Sequence, residues 1–156
     1  MKIKLLEEYG DTLANFFAVT AVMLVLLLAF LMQFVFHELP CPLCLLQRYG
    51  FLAIAFGFLL NFRFGFRPSH YSVILLSCLF TIFVALRQVA LHVLPGTGSY
   101  GNAILGLHLY TWSLLLATAV LISTSILMGM DFQYRLTLPK TRFWKHVAHG
   151  LFAALI

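Results

Sequence analysis

The sequence predicts an all-α membrane protein, a four-transmembrane-helix bundle with both termini in the cytoplasm. The chain is 62% apolar and only 10% charged, with a mean hydropathy of +0.98, and its apolar residues fall into four long runs. This composition is too apolar for a soluble domain of 156 residues. The net charge of +5 could suggest a nucleic-acid partner, but the basic residues flank the apolar runs, as membrane orientation signals do. We therefore expect contact with membrane lipid and no nucleic acid.

Four segments are long enough to cross a bilayer at about 1.5 Å per residue. The expected spans are residues 12–36, 42–62, 71–94 and 103–130. Residues 1–11 precede them as a charged N-tail, residues 61–70 form a basic turn, and residues 95–102 have the Pro, Gly and Ser content of a loop. Residues 131–156 form a C-tail, where apolar residues four apart from Phe143 onward favour a short interfacial helix.

The lysines and arginines predict the orientation of the bundle. Eight of the ten lie in the N-tail, the basic turn and the C-tail, whereas the 37–41 and 95–102 loops contain none. The positive-inside rule therefore places both termini in the cytoplasm and both of these loops outside. In a bacterium the outside is the oxidising periplasm, where a dithiol can cycle. The expected location is the bacterial inner membrane, with several passes.

Two of the three cysteines, Cys41 and Cys44, stand in a Cys-x-x-Cys spacing where the second apolar run begins. Pro42 suits the first turn of a helix, because its missing N–H would have no partner there. Cys44 would then lie in that first turn, where the helix dipole favours a thiolate. Arg48 follows at i+4 on the same helix face. The stretch predicts a redox dithiol at the membrane surface with a cation beside it.

Other interpretations of the cysteines are weaker. A Cys-x-x-Cys pair can be half of a zinc site, but the remaining candidates, His37 and His92, are scattered and no second Cys-x-x-Cys exists. We therefore expect redox chemistry rather than a metal. Cys78 stands alone in the middle of the third span, as a small apolar core residue does.

Polar residues recur at one level of the spans, about 10 Å below the outer helix ends. They are Gln33, Arg48, Arg87, Gln88 and His108. Charge inside a membrane is costly and usually functional, so the sequence predicts a binding layer beneath the cysteine pair. The alternative is that the arginines extend to the membrane surface and the amides bond between helices.

The chain resembles the bacterial disulfide bond formation protein B (DsbB) family. The resemblance rests on residues 40–48 (PCPLCLLQR), directly after the first of four spans. Residues 87–91 (RQVAL), 94–95 (LP), 106–107 (GL) and 112–115 (WSLL) support it. It covers about residues 12–130.

The resemblance implies a four-helix quinone reductase that makes protein disulfides. In such an enzyme Cys44 is the thiolate that contacts the quinone ring, Cys41 is its disulfide partner, and Arg48 stabilises both. The implied cofactor is ubiquinone or menaquinone, with its headgroup in the layer of Gln33, Arg48, Arg87, Gln88 and His108. The implied partner is a periplasmic thioredoxin-like thiol oxidase (DsbA-like) or another periplasmic dithiol protein.

The chain departs from the family pattern in its second outer loop. The family carries a second cysteine pair there, whereas residues 95–102 contain no cysteine. An external dithiol must then attack the first pair directly, and we expect it to attack Cys41, the residue nearer the outside. Two alternatives remain: a non-catalytic quinone- or lipid-binding protein that kept the fold, and a redox enzyme of the vitamin K epoxide reductase type. The last is disfavoured because that family's membrane Cys-x-x-Cys lies late in its bundle.

Overall fold

The computed structural model describes residues 2–36, 41–92 and 105–130, together with residues 146, 150 and 153. These ranges form four α-helices: α1 (Lys2–Phe36), α2 (Pro42–Phe64), α3 (Pro68–His92) and α4 (Leu109–Gly129). Each is long and apolar enough to cross a membrane, and the described ranges contain no β-strand. The predicted all-α four-helix bundle is confirmed. Its orientation and the interfacial helix of the C-tail stay predictions, the latter because most of that segment lies outside the described residues.

The helices extend beyond the expected spans at the ends rich in charge. α1 begins at Lys2, so the charged N-tail continues the helix, and only residues 65–67 separate α2 from α3. Lysine and arginine end an apolar run but are good helix formers, and Pro68 suits a first helical position. Hydropathy therefore marks where the apolar surface ends, not where the helix ends.

The fourth helix begins later than the sequence predicts, at Leu109 rather than near residue 103. Leu105 and Gly106 have φ values of 54° and 80°, and a right-handed helix does not accommodate such left-handed residues. His108 is extended (φ −73°, ψ 153°) and occupies the N-cap position. It therefore lies in front of α4 instead of within it.

The core of the bundle forms where α2 packs against α3. α3 also contacts α4, and α1 packs mainly on α2. Gly50 and Gly57, two helical turns apart on α2, lie against Thr81 and Ile74 of α3, and a Cβ at either glycine would collide with those side chains. Small residues of this kind let membrane helices approach closely, and here they fix the distance between α2 and α3.

The outer surface of the bundle is apolar. Leu24 is 60% exposed, Leu76 and Phe83 are each 68% exposed, and Ile126 is 62% exposed. Burying apolar surface is worth about 25 cal/mol per Å², so such a surface is unfavourable in water but suits a lipid environment. The exposed side chains therefore agree with four membrane-crossing helices.

A cluster of mostly buried polar side chains links three helices at the end of the bundle remote from the cysteine pair. We call it the asparagine cluster: Asn15 of α1, Asn61 of α2, and His70 and Tyr71 of α3. Asn61 Nδ2 donates to Asn15 Oδ1 (3.2 Å), Asn15 Nδ2 donates to Tyr71 Oη (3.1 Å), and His70 Nδ1 donates to Asn61 Oδ1 (3.1 Å). These bonds fasten α1 to the α2–α3 pair.

Candidate functional site

The N-terminus of α2 fixes the cysteine pair. Cys41 is the N-cap residue (φ −68°, ψ 155°), and Pro42 begins the helix. The Cys44 N–H donates to Cys41 Sγ (3.1 Å), and the Leu45 N–H donates to the Cys41 carbonyl (3.1 Å). The thiol thus satisfies one of the free N–H groups of the first turn. The predicted first-turn positions of Pro42 and Cys44 are confirmed.

The two sulfurs lie 2.6 Å apart, and both cysteines are free thiols. A disulfide bond is about 2.05 Å long, so a small movement would close one. Cys41 is 8% exposed, whereas Cys44 is only partly buried. Cys41 Sγ is thus the more enclosed sulfur, because its side chain turns back over the helix end to accept the Cys44 N–H. The expected attack of an external dithiol on Cys41 stays a prediction.

The carboxamide of Gln88 on α3 faces both sulfurs. Its Nε2 lies 3.3 Å from Cys41 Sγ and 3.3 Å from Cys44 Sγ. Its Oε1 accepts a hydrogen bond from Gln47 Nε2 (2.6 Å), and Cys44 Sγ lies farther from that oxygen, at 3.8 Å. Gln47 and Gln88 are buried, with 4% and 0% exposed. We call Cys41, Cys44, Gln47 and Gln88 the cysteine cluster.

Arg48 lies next to this cluster but turns toward α1. Its guanidinium donates through Nη1 to Gln33 Oε1 and through Nη2 to the Ala29 carbonyl (3.0 Å). It also lies over the Phe30 ring, 5.0 Å from the centroid, where a cation–π contact stabilises it. The guanidinium lies close enough to stabilise negative charge that develops on either cysteine, although none of the hydrogen bonds described for Arg48 reaches a sulfur. The predicted residues Gln33 and Arg48 therefore form a pair beside the thiols.

Three rings stack where α3 ends and α4 begins. Tyr110 lies between His92 and His108, with 5.3 Å between ring centroids on each side. His92 Nδ1 donates to the Gln88 carbonyl (2.7 Å), so the stack is attached to the turn that carries the cysteine-facing amide. His108 Nδ1 is buried and has no hydrogen-bond partner among the described residues.

Arg87 is the predicted layer residue that the structure does not bring into this group. It is exposed on α3, whereas its neighbour Gln88 is fully buried. A helix turns about 100° per residue, so two consecutive side chains cannot both face the sulfurs. The residues of the predicted layer thus lie in three separate places. The Gln88 amide faces the sulfurs, Arg48 pairs with Gln33, and His108 stacks on Tyr110.

Two residues of the site, Gln47 and Tyr110, were not predicted from the sequence. Gln47 follows Cys44 at i+3, a spacing that places both on one helix face, and a buried amide in an apolar span needs a partner. This signal could have identified it. Tyr110 gave no such signal, because its position depends on how α3 and α4 pack.

The zinc alternative gains no third ligand in the described part of the chain. No group of three or more His, Cys, Asp or Glu side chains comes together there. His92 stacks on Tyr110 instead, and His37 lies outside the described residues.

Comparison with known proteins identifies the family. The family model "Disulfide bond formation protein DsbB" matches residues 11–100. No curated protein and no solved structure matches the chain. The matched segment exceeds half of the 156 residues, and it contains the whole cysteine cluster together with Arg48. The chain therefore belongs to the DsbB family, and this membership implies a multi-pass membrane oxidoreductase that acts on disulfides.

Proposed function

We propose that this protein is a quinone-dependent thiol oxidase that makes disulfides in periplasmic proteins from the bacterial inner membrane. The observation that carries the proposal is the cysteine pair, with sulfurs 2.6 Å apart at the N-terminus of a membrane-length helix. A helix N-terminus favours a thiolate, and a buried amide faces both sulfurs. Family membership supports the same chemistry.

The cysteine pair carries two electrons and two protons in each cycle. An external dithiol gives up two electrons and two protons and becomes a disulfide, while the Cys41–Cys44 disulfide becomes two thiols. The pair is restored when its two thiols lose two electrons and two protons and the Sγ–Sγ bond forms again. Thiolate attack on a disulfide sulfur is the step that admits the partner.

Two donor groups at the cysteine end of the bundle suit a quinone headgroup. Ubiquinone or menaquinone, when bound, supplies the two-electron, two-proton acceptor. Its carbonyl oxygens need hydrogen-bond donors, and His108 Nδ1 is a buried nitrogen without a described partner. Arg48 has five N–H donors and uses two groups toward α1, which leaves others for a ligand. We assign Arg48 and His108 to hold the headgroup, with Gln33 holding Arg48 in place.

The partner is a periplasmic thioredoxin-like thiol oxidase (DsbA-like) or another periplasmic dithiol protein. Because residues 95–102 contain no cysteine, that partner must exchange directly with the Cys41–Cys44 pair. No internal relay through a second pair can be drawn with three cysteines, since Cys78 is fully buried.

The test is quinone-driven disulfide formation by the purified protein. The reduced protein, held in lipid nanodiscs, receives a short-chain ubiquinone or menaquinone analogue, and alkylation of free thiols reports the Cys41–Cys44 disulfide. We expect the disulfide with at least one quinone, with the Cys78→Ser variant unchanged and Cys44→Ser unreactive. If both cysteines stay reduced with both quinones, the oxidase proposal is wrong. Quinone binding without oxidation would then favour the non-catalytic alternative.

A further inference from the structure

We propose that Gln88 is a catalytic hydrogen-bond donor to the sulfur that leaves when the Cys41–Cys44 disulfide opens, and that Gln47 positions it. This inference rests on the proposed exchange at the cysteine pair. Gln88 Nε2 lies 3.3 Å from each sulfur, and its side chain is fully buried. A single amide on α3 therefore contacts both reacting sulfurs at the start of α2.

The orientation of the Gln88 amide needs a second residue. A carboxamide has two faces of similar shape, one donating and one accepting, so its direction is set by what each face meets. Gln47 Nε2 donates to Gln88 Oε1 (2.6 Å), which leaves the NH₂ group to face the sulfurs. Gln47 is itself buried, and a buried amide without a partner is costly. The two amides therefore hold each other in one arrangement.

The hydrogen bond that the Gln88 N–H donates becomes stronger as the disulfide opens. An incoming thiolate forms a bond to one sulfur, the Cys41–Cys44 bond breaks, and its electron pair stays on the other sulfur as a thiolate. Hydrogen bonds to charged groups are roughly twice as strong as those between neutral groups, and a disulfide sulfur is a weak acceptor. The contact thus stabilises the charge that develops in the transition state more than the starting disulfide.

The other nearby donors do not fill this role for both sulfurs. The Cys44 N–H reaches only Cys41 Sγ. Arg48 directs its described hydrogen bonds to Gln33 and Ala29 of α1. Since Gln88 contacts either sulfur at the same distance, it serves the leaving group whichever cysteine is attacked.

The experiment measures how fast dithiothreitol opens the oxidised pair in nanodiscs that contain no quinone. Gln88→Met keeps the length of the side chain and removes the N–H, and we expect an about tenfold slower reduction. Gln47→Met should slow it about threefold by freeing the Gln88 amide to turn. The matched control is Thr124→Val on α4, which removes a buried hydroxyl without a partner among the described residues and should reduce at the wild-type rate.

A double-mutant cycle separates positioning from a merely structural effect. If Gln47 acts through Gln88, adding Gln47→Met to Gln88→Met should produce no further slowing. Additive effects would overturn the positioning role of Gln47. A wild-type rate in Gln88→Met would overturn the donor role of Gln88.

Two further arms keep these results interpretable. Gln88→Leu, which also removes the N–H and adds no charge or new donor, must be slow as well, and it decides the matter if Gln88→Met does not fold. The assay contains no quinone, so slow variants would support the donor even if quinone fails to reoxidise the wild-type protein. Failure of quinone to reoxidise the wild-type protein would count against the oxidase proposal and not against the donor role of Gln88.

Discussion

The asparagine cluster and the cysteine cluster differ in the chemical group that each one exposes at the surface of the bundle. In the asparagine cluster, Asn15, Asn61 and Tyr71 are each 0% exposed and His70 is partly exposed. The hydrogen bonds described for it join two amides, a phenol and an imidazole. In the cysteine cluster, Gln47 and Gln88 are equally enclosed, but Cys44 is partly exposed. Each cluster thus has one partly exposed member, the imidazole of His70 in the first and the redox-active sulfur of Cys44 in the second.

The comparison shows how polarity inside a membrane protein can serve two purposes. Buried polar groups are costly in an apolar bundle unless they are paired, and both clusters meet this cost with bonds between helices. The asparagine cluster contains no group that exchanges electrons, so its bonds only hold helices together. In the cysteine cluster the Gln88 amide donates to sulfurs, which are weak acceptors as thiols and strong acceptors as thiolates.

The largest effect we expect comes from changing a sulfur. Attack on Cys41 releases Cys44, which the helix N-terminus stabilises as a thiolate. In cells, Cys44→Ser should therefore accumulate a mixed disulfide through Cys41, and Cys41→Ser should not, as read by alkylation and non-reducing gels. Burial alone favours the reverse order, because Cys41 is the more enclosed sulfur. A partner trapped on Cys44 would mean that access, not the leaving group, decides the order.

The next largest effect concerns the cation beside the cysteine cluster. If Arg48 holds the quinone headgroup, Arg48→Ala should slow quinone-driven oxidation about a hundredfold, the loss typical for one positioned donor. Arg48→Lys should recover only part of the rate, because a lysine is a point charge rather than a planar fork. The matched control is Arg63→Ala, an exposed arginine at the other end of α2.

Unchanged kinetics in Arg48→Ala would contradict this role. The contacts of the guanidinium with Gln33, Ala29 and Phe30 would then only stabilise the packing of α1 on α2. Stopped-flow absorbance of the quinone, with the amount of folded protein measured in parallel, distinguishes the two outcomes.

Much of the fold could be predicted because membrane helices must be long and apolar. The charge-free run before Phe36 and the Cys-x-x-Cys stretch after it were visible in the sequence, and so was the helix start at Pro42. The start of α4 was not, because hydropathy continues through Leu105 and Gly106 while their positive φ values exclude a helix. Apolar content reports the solvent around a residue, not its backbone angles.

The site was only partly predictable, because sequence position gives depth along a helix but not the direction of a side chain. Gln88 and Arg87 lie at one depth, yet only the first is buried. Gln33 and Arg48 were placed in one layer without any indication that they bond to each other. Such pairings depend on how the helices pack against one another, and that packing cannot be derived from a single sequence.

A smaller effect should follow from opening the asparagine cluster. Asn61→Leu removes the bonds to Asn15 and His70 and leaves polar groups without partners, so the free energy of unfolding should fall by about 1–3 kcal/mol. Unfolding in detergent measures this loss. The rate of disulfide formation per folded molecule should not change, since the cluster lies at the end of the bundle remote from the cysteine pair.

The double variant Asn15→Leu/Asn61→Leu sharpens this prediction. Because the two amides share a bond, their effects on stability should be less than additive. A variant that keeps its stability but loses its oxidation rate would show that the two polar groups are coupled, and the contrast between them would not stand.

The smallest effect should come from Arg87, which separates the sequence-based layer from the observed cluster. Its side chain is exposed, and substitutions at exposed positions usually change free energies by no more than about 0.5 kcal/mol, or about twofold in rate. Arg87→Ala should therefore oxidise with quinone at nearly the wild-type rate. A loss as large as that of Arg48→Ala would mean that Arg87 holds the headgroup after all, because only a group that contacts the reacting parts has such an effect. The same quinone assay, run on both variants side by side, gives the answer.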